Sequence, residues 1–177
     1  MFNLLSKSDD IKFKHPFSFI VSGPSASGKS SFCITFLQHL GTLCTERHFD
    51  GGVIWCYSER NAFPNLKRDM ICFHEGVASD FKKAQGKPCL VILDDLLNGV
   101  CSKEVCDLFT KGSHHRNISV ILIIQKLFHQ GRYCGDISLN VKYFVLLKTS
   151  EIRISLCFKT LKYIPKIVLV FIRRILM

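Results

Sequence analysis

Apolar residues along this chain gather in short unbroken runs rather than in polar–apolar alternation. Phe17-Ser18-Phe19-Ile20-Val21, Val53-Ile54-Trp55-Cys56-Tyr57 and Cys89-Leu90-Val91-Ile92-Leu93 each have the length and β-forming content of a buried strand. So do Ser119-Val120-Ile121-Leu122-Ile123-Ile124 and Val141-Lys142-Tyr143-Phe144-Val145-Leu146-Leu147, with Met70-Ile71-Cys72-Phe73 as a shorter run of the same kind. Between them the period changes. Phe32, Phe36, Leu37 and Leu40 recur at helical spacing up to Gly41, the expected stop. Val105, Leu108 and Phe109 share one face of a helix over 102–111, and Val77 to Gln85 predicts a short helix before Gly86. Strands that are apolar on both faces, alternating with helices, predict an α/β fold with a mostly parallel sheet covered on both sides. At 177 residues the chain has room for one such core. That core is expected over 17–150, preceded by an extension over 1–16 and followed by a basic, apolar tail over 151–177. There is no internal repeat and no low-complexity tract.

The first strand runs into Gly23-Pro24-Ser25-Ala26-Ser27-Gly28-Lys29-Ser30, which reads G-x-x-x-x-G-K-[ST], and a helix follows. Strand, glycine loop and helix together make a phosphate cradle. Gly23 and Gly28 let the backbone approach a polyphosphate closely, and the helix opening at Lys29 adds the positive end of its dipole. Lys29 is placed to reach the β- and γ-phosphates, and the Ser30 hydroxyl to hold Mg²⁺. Ser31 completes the nucleotide-binding set. The alternative, a plain glycine-rich turn, leaves the strand before it and the helix after it unexplained.

Leu90-Val91-Ile92-Leu93 ends in Asp94-Asp95, an acidic pair at the carboxyl end of a buried strand, where ligands of such sheets sit. Asp94 is the expected Mg²⁺ ligand, and Asp95 the carboxylate that polarises the attacking water. Alone, such a pair is better read as an Asp-rich turn; about 60 residues downstream of a phosphate loop it acquires a use. Gln125 closes the strand 119–124, where it would touch the γ-phosphate if that strand lies between the loop strand and the acidic strand. Arg116, in the basic turn before it, is a candidate arginine finger across a subunit boundary, against the simpler reading of a solvated or DNA-facing charge. Glu59 is a fallback carboxylate, better read as a cap or surface residue. His74-Glu75 begins like a zinc-protease motif but has Ala78 where the second histidine belongs.

Charge and cysteine usage narrow the class. The formal net charge of +10, spread along the chain, favours an acidic partner such as nucleic acid. The nine cysteines are scattered and include no C-x-x-C pair, so neither a zinc ribbon nor a thioredoxin-type motif is supported. Cys56, Cys72 and Cys89 sit in apolar runs, where a reduced thiol packs as a small hydrophobe, so a reducing compartment is expected. Cys101, Cys106, His114 and His115 match no zinc spacing. Met1 to Asp10 turns polar too soon for a secretory signal, and Ile167 to Ile172 is too short to span a bilayer, so the expectation is a protein with no membrane role.

Several segments resemble the genome-packaging ATPases of large DNA viruses and Maverick/Polinton transposons, members of the FtsK–HerA class of P-loop motors. They are the loop 23–30, Ile54-Trp55-Cys56-Tyr57-Ser58-Glu59, Leu93-Asp94-Asp95-Leu96, His114-His115-Arg116-Asn117-Ile118-Ser119-Val120, Gln125-Lys126-Leu127-Phe128-His129-Gln130-Gly131, and Ile137-Ser138-Leu139-Asn140 with Tyr143. The similarity covers roughly residues 17–148. It implies a RecA-like core with an extra strand between the P-loop and acidic-motif strands, and hydrolysis of ATP with Mg²⁺. It also implies a homo-oligomeric ring that moves double-stranded DNA into a capsid, with a capsid or portal component as partner. Gln125 would be the sensor glutamine. The chain departs from the family at Ile124, where members usually have Thr, and after Lys148, where Thr149-Ser150-Glu151-Ile152-Arg153 replaces an Asn-Pro-Arg-Asp-like continuation.

The sequence therefore points first to a DNA-translocating P-loop ATPase, acting in the nucleus or in a cytoplasmic viral factory, with association with the virion a further expectation. Two other readings stay open: a small-molecule P-loop kinase, though no lid segment is evident, and an inactive nucleotide- or DNA-binding remnant of such an ATPase.

Overall fold

Six of the apolar runs become strands of one sheet, and a seventh strand joins them from the carboxyl-terminal segment. The computed structural model describes residues 12–58, 71–78, 86–96, 102–112, 117–125, 133–147 and 169–172. In chain order the elements are β1 (Ser18–Ser22), α1 (Lys29–Gln38), α2 (Leu40–Leu43), β2 (Val53–Tyr57), β3 (Ile71–Glu75) and β4 (Cys89–Asp94). Then come α3 (Lys103–Asp107), running into a π-helical turn at Leu108–Gly112, β5 (Ile118–Ile124), α4 (Cys134–Asn140), β6 (Tyr143–Leu147) and β7 (Leu169–Ile172). The sheet order is β3-β2-β4-β5-β1-β6-β7, and every pairing is parallel. β5 thus stands between the loop strand β1 and the acidic strand β4. This is the α/β arrangement expected, with the additional strand in the place a RecA-like core requires.

The unbroken apolar runs are explained by two cores, one on each side of the sheet. β4 divides itself between them: Leu90 and Ile92 face one core, Cys89, Val91 and Leu93 the other. The first core takes Cys33 and Phe36 from α1, with Phe17, Phe19 and Trp55 from the strand side. The second takes Val105 and Cys106 from α3, Leu108 and Phe109 from the π turn, and Ile137 from α4. Each fully buried large side chain stabilises the fold by about 1.5–3 kcal/mol relative to leaving it in water. Aromatic packing sets the first core's shape. Phe13 meets Phe19 edge-on at 4.8 Å and Tyr143 at 5.1 Å, so Phe13, three residues before Pro16, belongs to the core.

Several boundaries differ from expectation for local reasons. α1 stops at Gln38, because the His39 backbone has left helical geometry; Gly41 lies inside α2 and is not the stop. The predicted helix over 102–111 is two pieces, although Val105, Leu108 and Phe109 are all buried as that face required. Val77 and Ala78 are not helical, and the rest of that predicted helix lies outside the described residues. α4 was not legible: Gly135, Asp136, Ser138 and Asn140 are poor helix formers, and packing of Ile137 decides the segment instead. β3 is an edge strand, so Cys72 is exposed rather than packed.

Candidate functional site

In a parallel sheet every strand ends at the same edge, and here that edge collects the predicted chemistry. β1 delivers the loop 23–30, β4 delivers Asp94 and Asp95, and β5 delivers Gln125. Register fixes how close they come. Ser22 pairs with Ile124, and Asp94 pairs with Ile123 on one side and Tyr57 on the other. The Gly23 N–H donates to the Ile124 carbonyl at 3.3 Å, which ties the loop's first residue to the strand that carries Gln125.

The loop curls through two residues of positive φ, Ala26 at 58° and Gly28 at 91°. Gly23 is required for a different reason. A Cβ there would stand 2.6 Å from the Leu147 carbonyl oxygen and 2.7 Å from Ser27 Oγ, so no side chain fits between loop and β6. α1 begins at Lys29 with no side-chain cap and no acidic residue in its first turn. The first N–H groups of that turn have no intrahelical acceptor, and the turn itself carries no acidic side chain to take them. Ser27 Oγ is buried without a hydrogen-bond partner among the described residues. Such a donor set, with a buried hydroxyl left over, fits a polyphosphate. Pro24, Ser25 and Ala26 are the exposed outer side of the loop.

Lys29 Nζ donates to the carbonyls of Gly23 at 2.8 Å and Pro24 at 2.9 Å, so its ammonium sits in the mouth of the loop. Partial burial pulls its pKa down, opposed by the nearby Asp95 and Asp94 carboxylates. Ser30 Oγ donates to Asp94 Oδ2 at 3.4 Å. Burial pushes the Asp94 carboxyl above its usual value; the Trp55 indole and the Ser30 hydrogen bond oppose that, the Asp95 charge adds to it, and Lys29 again opposes it. One hydroxyl and one carboxylate are the protein ligands Mg²⁺ usually takes beside phosphate oxygens and water. The residues present fit the ion. Among the described residues no group of three or more His, Cys, Asp and Glu is gathered for an all-protein metal cage, and that is not what this chemistry needs.

Asp95 is held more firmly than a turn residue needs to be. Its φ is 46°, in the left-handed region. Its N–H donates to the Ile123 carbonyl at 3.3 Å and its carbonyl accepts from Ser58 Oγ at 2.9 Å. Its carboxylate accepts from Gln125 Nε2 at 2.9 Å. Neighbouring strands on both sides therefore fix it.

The structure brings together Gly23, Ser27, Gly28, Lys29, Ser30, Asp94, Asp95 and Gln125. Ser31 lies in the first turn of α1 and its carbonyl accepts from Thr35 Oγ1, which leaves its side chain with no role shown. Arg116 and Glu59 lie outside the described residues, as do Cys101, His114 and His115 of the grouping with Cys106. Asn117, next in sequence to Arg116, leads into β5 at the sheet edge opposite the loop. Two contributors carried no role in the sequence reading, Trp55 and Ser58. Their signal is position: Trp55 lies within the strand that pairs with the acidic strand, and Ser58 directly follows it.

The chain matches no family model, and no curated protein matches it.

Proposed function

We propose that this chain is an Mg²⁺-dependent ATPase, and that it belongs with the genome-packaging motors of the FtsK–HerA class, working as a homo-oligomeric ring on double-stranded DNA. The observation that carries the ATPase reading is the meeting of Lys29, Ser30–Asp94 and Asp95–Gln125 at one edge of the sheet. The loop N–H groups and Lys29 would bind the triphosphate. Ser30 and Asp94 would hold Mg²⁺, which when bound neutralises charge on the phosphate oxygens. Asp95, fixed in place and within reach of Gln125, would orient the attacking water and take its proton. Gln125 would keep that carboxylate aimed while sensing the γ-phosphate.

The DNA-moving part of the reading rests on the sequence resemblance and on the net charge of +10. Among the described residues no helix is long and apolar enough to cross a membrane. The test is ATP turnover by the purified chain with and without long duplex DNA, beside Lys29→Ala. The expected result is Mg²⁺-dependent turnover that DNA stimulates and the variant lacks. Turnover indifferent to DNA would remove the motor role, and no turnover would remove the enzyme.

A further inference from the structure

Extended alternation along β4 would send Asp95 to the sheet face of Val91 and Leu93, and Leu96 to the opposite face. Leu96 instead joins Val91 and Leu93 in the second core. The reversal is made at Asp95, whose φ of 46° turns the chain and leaves the carboxylate at the strand's end beside Gln125. A residue other than glycine persists in the left-handed region only where its surroundings hold it there. The β5 side supplies two holds, the Ile123 carbonyl on the Asp95 N–H and the Gln125 amide on the carboxylate. A third comes from the other side. β2 ends at Tyr57, opposite Asp94, and the next residue, Ser58, donates its hydroxyl to the Asp95 carbonyl at 2.9 Å. That bond lies at the surface, where water can take its place at little cost in stability, so its use is the geometry it fixes.

We propose that Ser58 is a positioning residue for Asp95. It locks the peptide that follows Asp95, so that the carboxylate stays aimed at the attacking water instead of relaxing with the turn. The inference rests on the ATPase reading of the site and adds to that site a residue from the end of β2. In this role Ser58 touches neither nucleotide nor metal and acts through Asp95 alone. Loss of its hydroxyl therefore bears on the chemical step and not on binding.

The experiment measures steady-state ATP turnover of the full chain with Mg²⁺, beside its affinity for a non-hydrolysable ATP analogue by calorimetry. Ser58→Ala is expected to lower kcat about fivefold, the weight of one neutral hydrogen bond, and to leave the affinity within about twofold. Ser58→Thr keeps the hydroxyl and is expected to recover most of the rate. Ser58→Val, the same shape without the hydroxyl, is expected to behave like Ala, and the Thr and Val pair carries the test should Ser58→Ala fail to fold. Combination with Gln125→Ala separates positioning from a general loosening. Two residues that hold the same carboxylate should leave the double variant within about twofold of Gln125→Ala alone, whereas independent effects multiply. An unchanged kcat in Ser58→Ala, an affinity that falls in step with kcat, or multiplying effects overturns the proposal while the ATPase reading stands. Wild-type protein without turnover overturns that reading and this inference with it.

Discussion

Gln125 Nε2 donates to Asp95 Oδ2 at 2.9 Å, across the ends of two neighbouring strands. One residue closes β5 and the other follows β4, so any movement of β5 relative to β4 is transmitted to the carboxylate. Gln125→Ala should therefore lower kcat by about 10²-fold, the lower end of what a positioned base contributes, while leaving nucleotide affinity nearly unchanged. Gln125→Glu should be worse than Ala, because it sets a second carboxylate against Asp95. Steady-state ATP turnover with an independent binding measurement checks both. A variant that loses affinity in step with kcat would show that Gln125 serves binding instead.

The backbone of Asp95 makes a separate prediction about stability. With φ at 46°, a side chain at this position is strained unless it is Asn, Asp or Gly. Asp95→Ala should cost about 1–2 kcal/mol from the left-handed backbone alone. Asp95→Gly relieves the strain and should melt close to the wild type. Both should be inactive, which separates the carboxylate's chemistry from the conformation that presents it. Thermal melts beside turnover assays read the two effects independently.

Asp94 trades stability for its proposed duty. Burial raises its carboxyl above the ordinary value of 3.8, so the native state favours the protonated form. Stability from this group is present at low pH and is lost as pH rises through the raised folded value, which makes the ionised form a net cost at neutral pH. Asp94→Asn should accordingly melt a few degrees above wild type at neutral pH in the absence of nucleotide. The gap should narrow as pH falls and the wild-type carboxyl takes up its proton. The same variant should lose Mg²⁺-dependent nucleotide binding. A lower melting temperature at neutral pH would mean that the hydrogen bonds to Asp94 outweigh its burial.

The sequence carried the sheet and most of the site for one physical reason: strands buried on both faces cannot hide. β1, β2, β4 and β5 are apolar at most positions, with Ser18, Ser22 and Ser119 as buried exceptions, and the charged and amide residues fall where the strands end. The acidic pair and Gln125 were therefore visible as sudden polarity after Leu93 and Ile124. What local pattern does not encode is long-range satisfaction. Nothing near Ser58 in sequence says that its hydroxyl will support the Asp95 carbonyl, 37 residues away. His15, likewise, reads as part of an extension, although its ring's partners, Asn117 and Ser119, lie more than a hundred residues further on. α4 escaped because its residues favour turns, and one buried isoleucine outweighs them.

His15 supplies the last prediction. Asn117 Nδ2 donates to the Gly86 carbonyl at 3.0 Å, which turns its Oδ1 towards His15 Nε2 at 2.8 Å. Nε2 must then carry the ring proton, so Nδ1 accepts from the Ser119 hydroxyl at 2.7 Å. Ser119 Oγ in turn accepts the Phe17 N–H at 3.0 Å. The network closes only with a neutral ring, since a second proton on Nδ1 leaves the buried Ser119 hydroxyl without its acceptor. Burial accordingly lowers the His15 pKa below the ordinary 6.5, against the Asn117 hydrogen bond and the Glu46 charge that raise it, and with Lys142 lowering it further. For a base shifted down, the stabilisation is complete above 6.5 and is lost as pH falls from there towards the lower folded value. His15→Gln should remove that slope and lower stability at neutral pH by about 1–3 kcal/mol, the cost of a buried polar group left without its partner. Denaturant unfolding of both proteins across this pH range measures the difference directly. Parallel pH profiles would place the titration elsewhere in the chain.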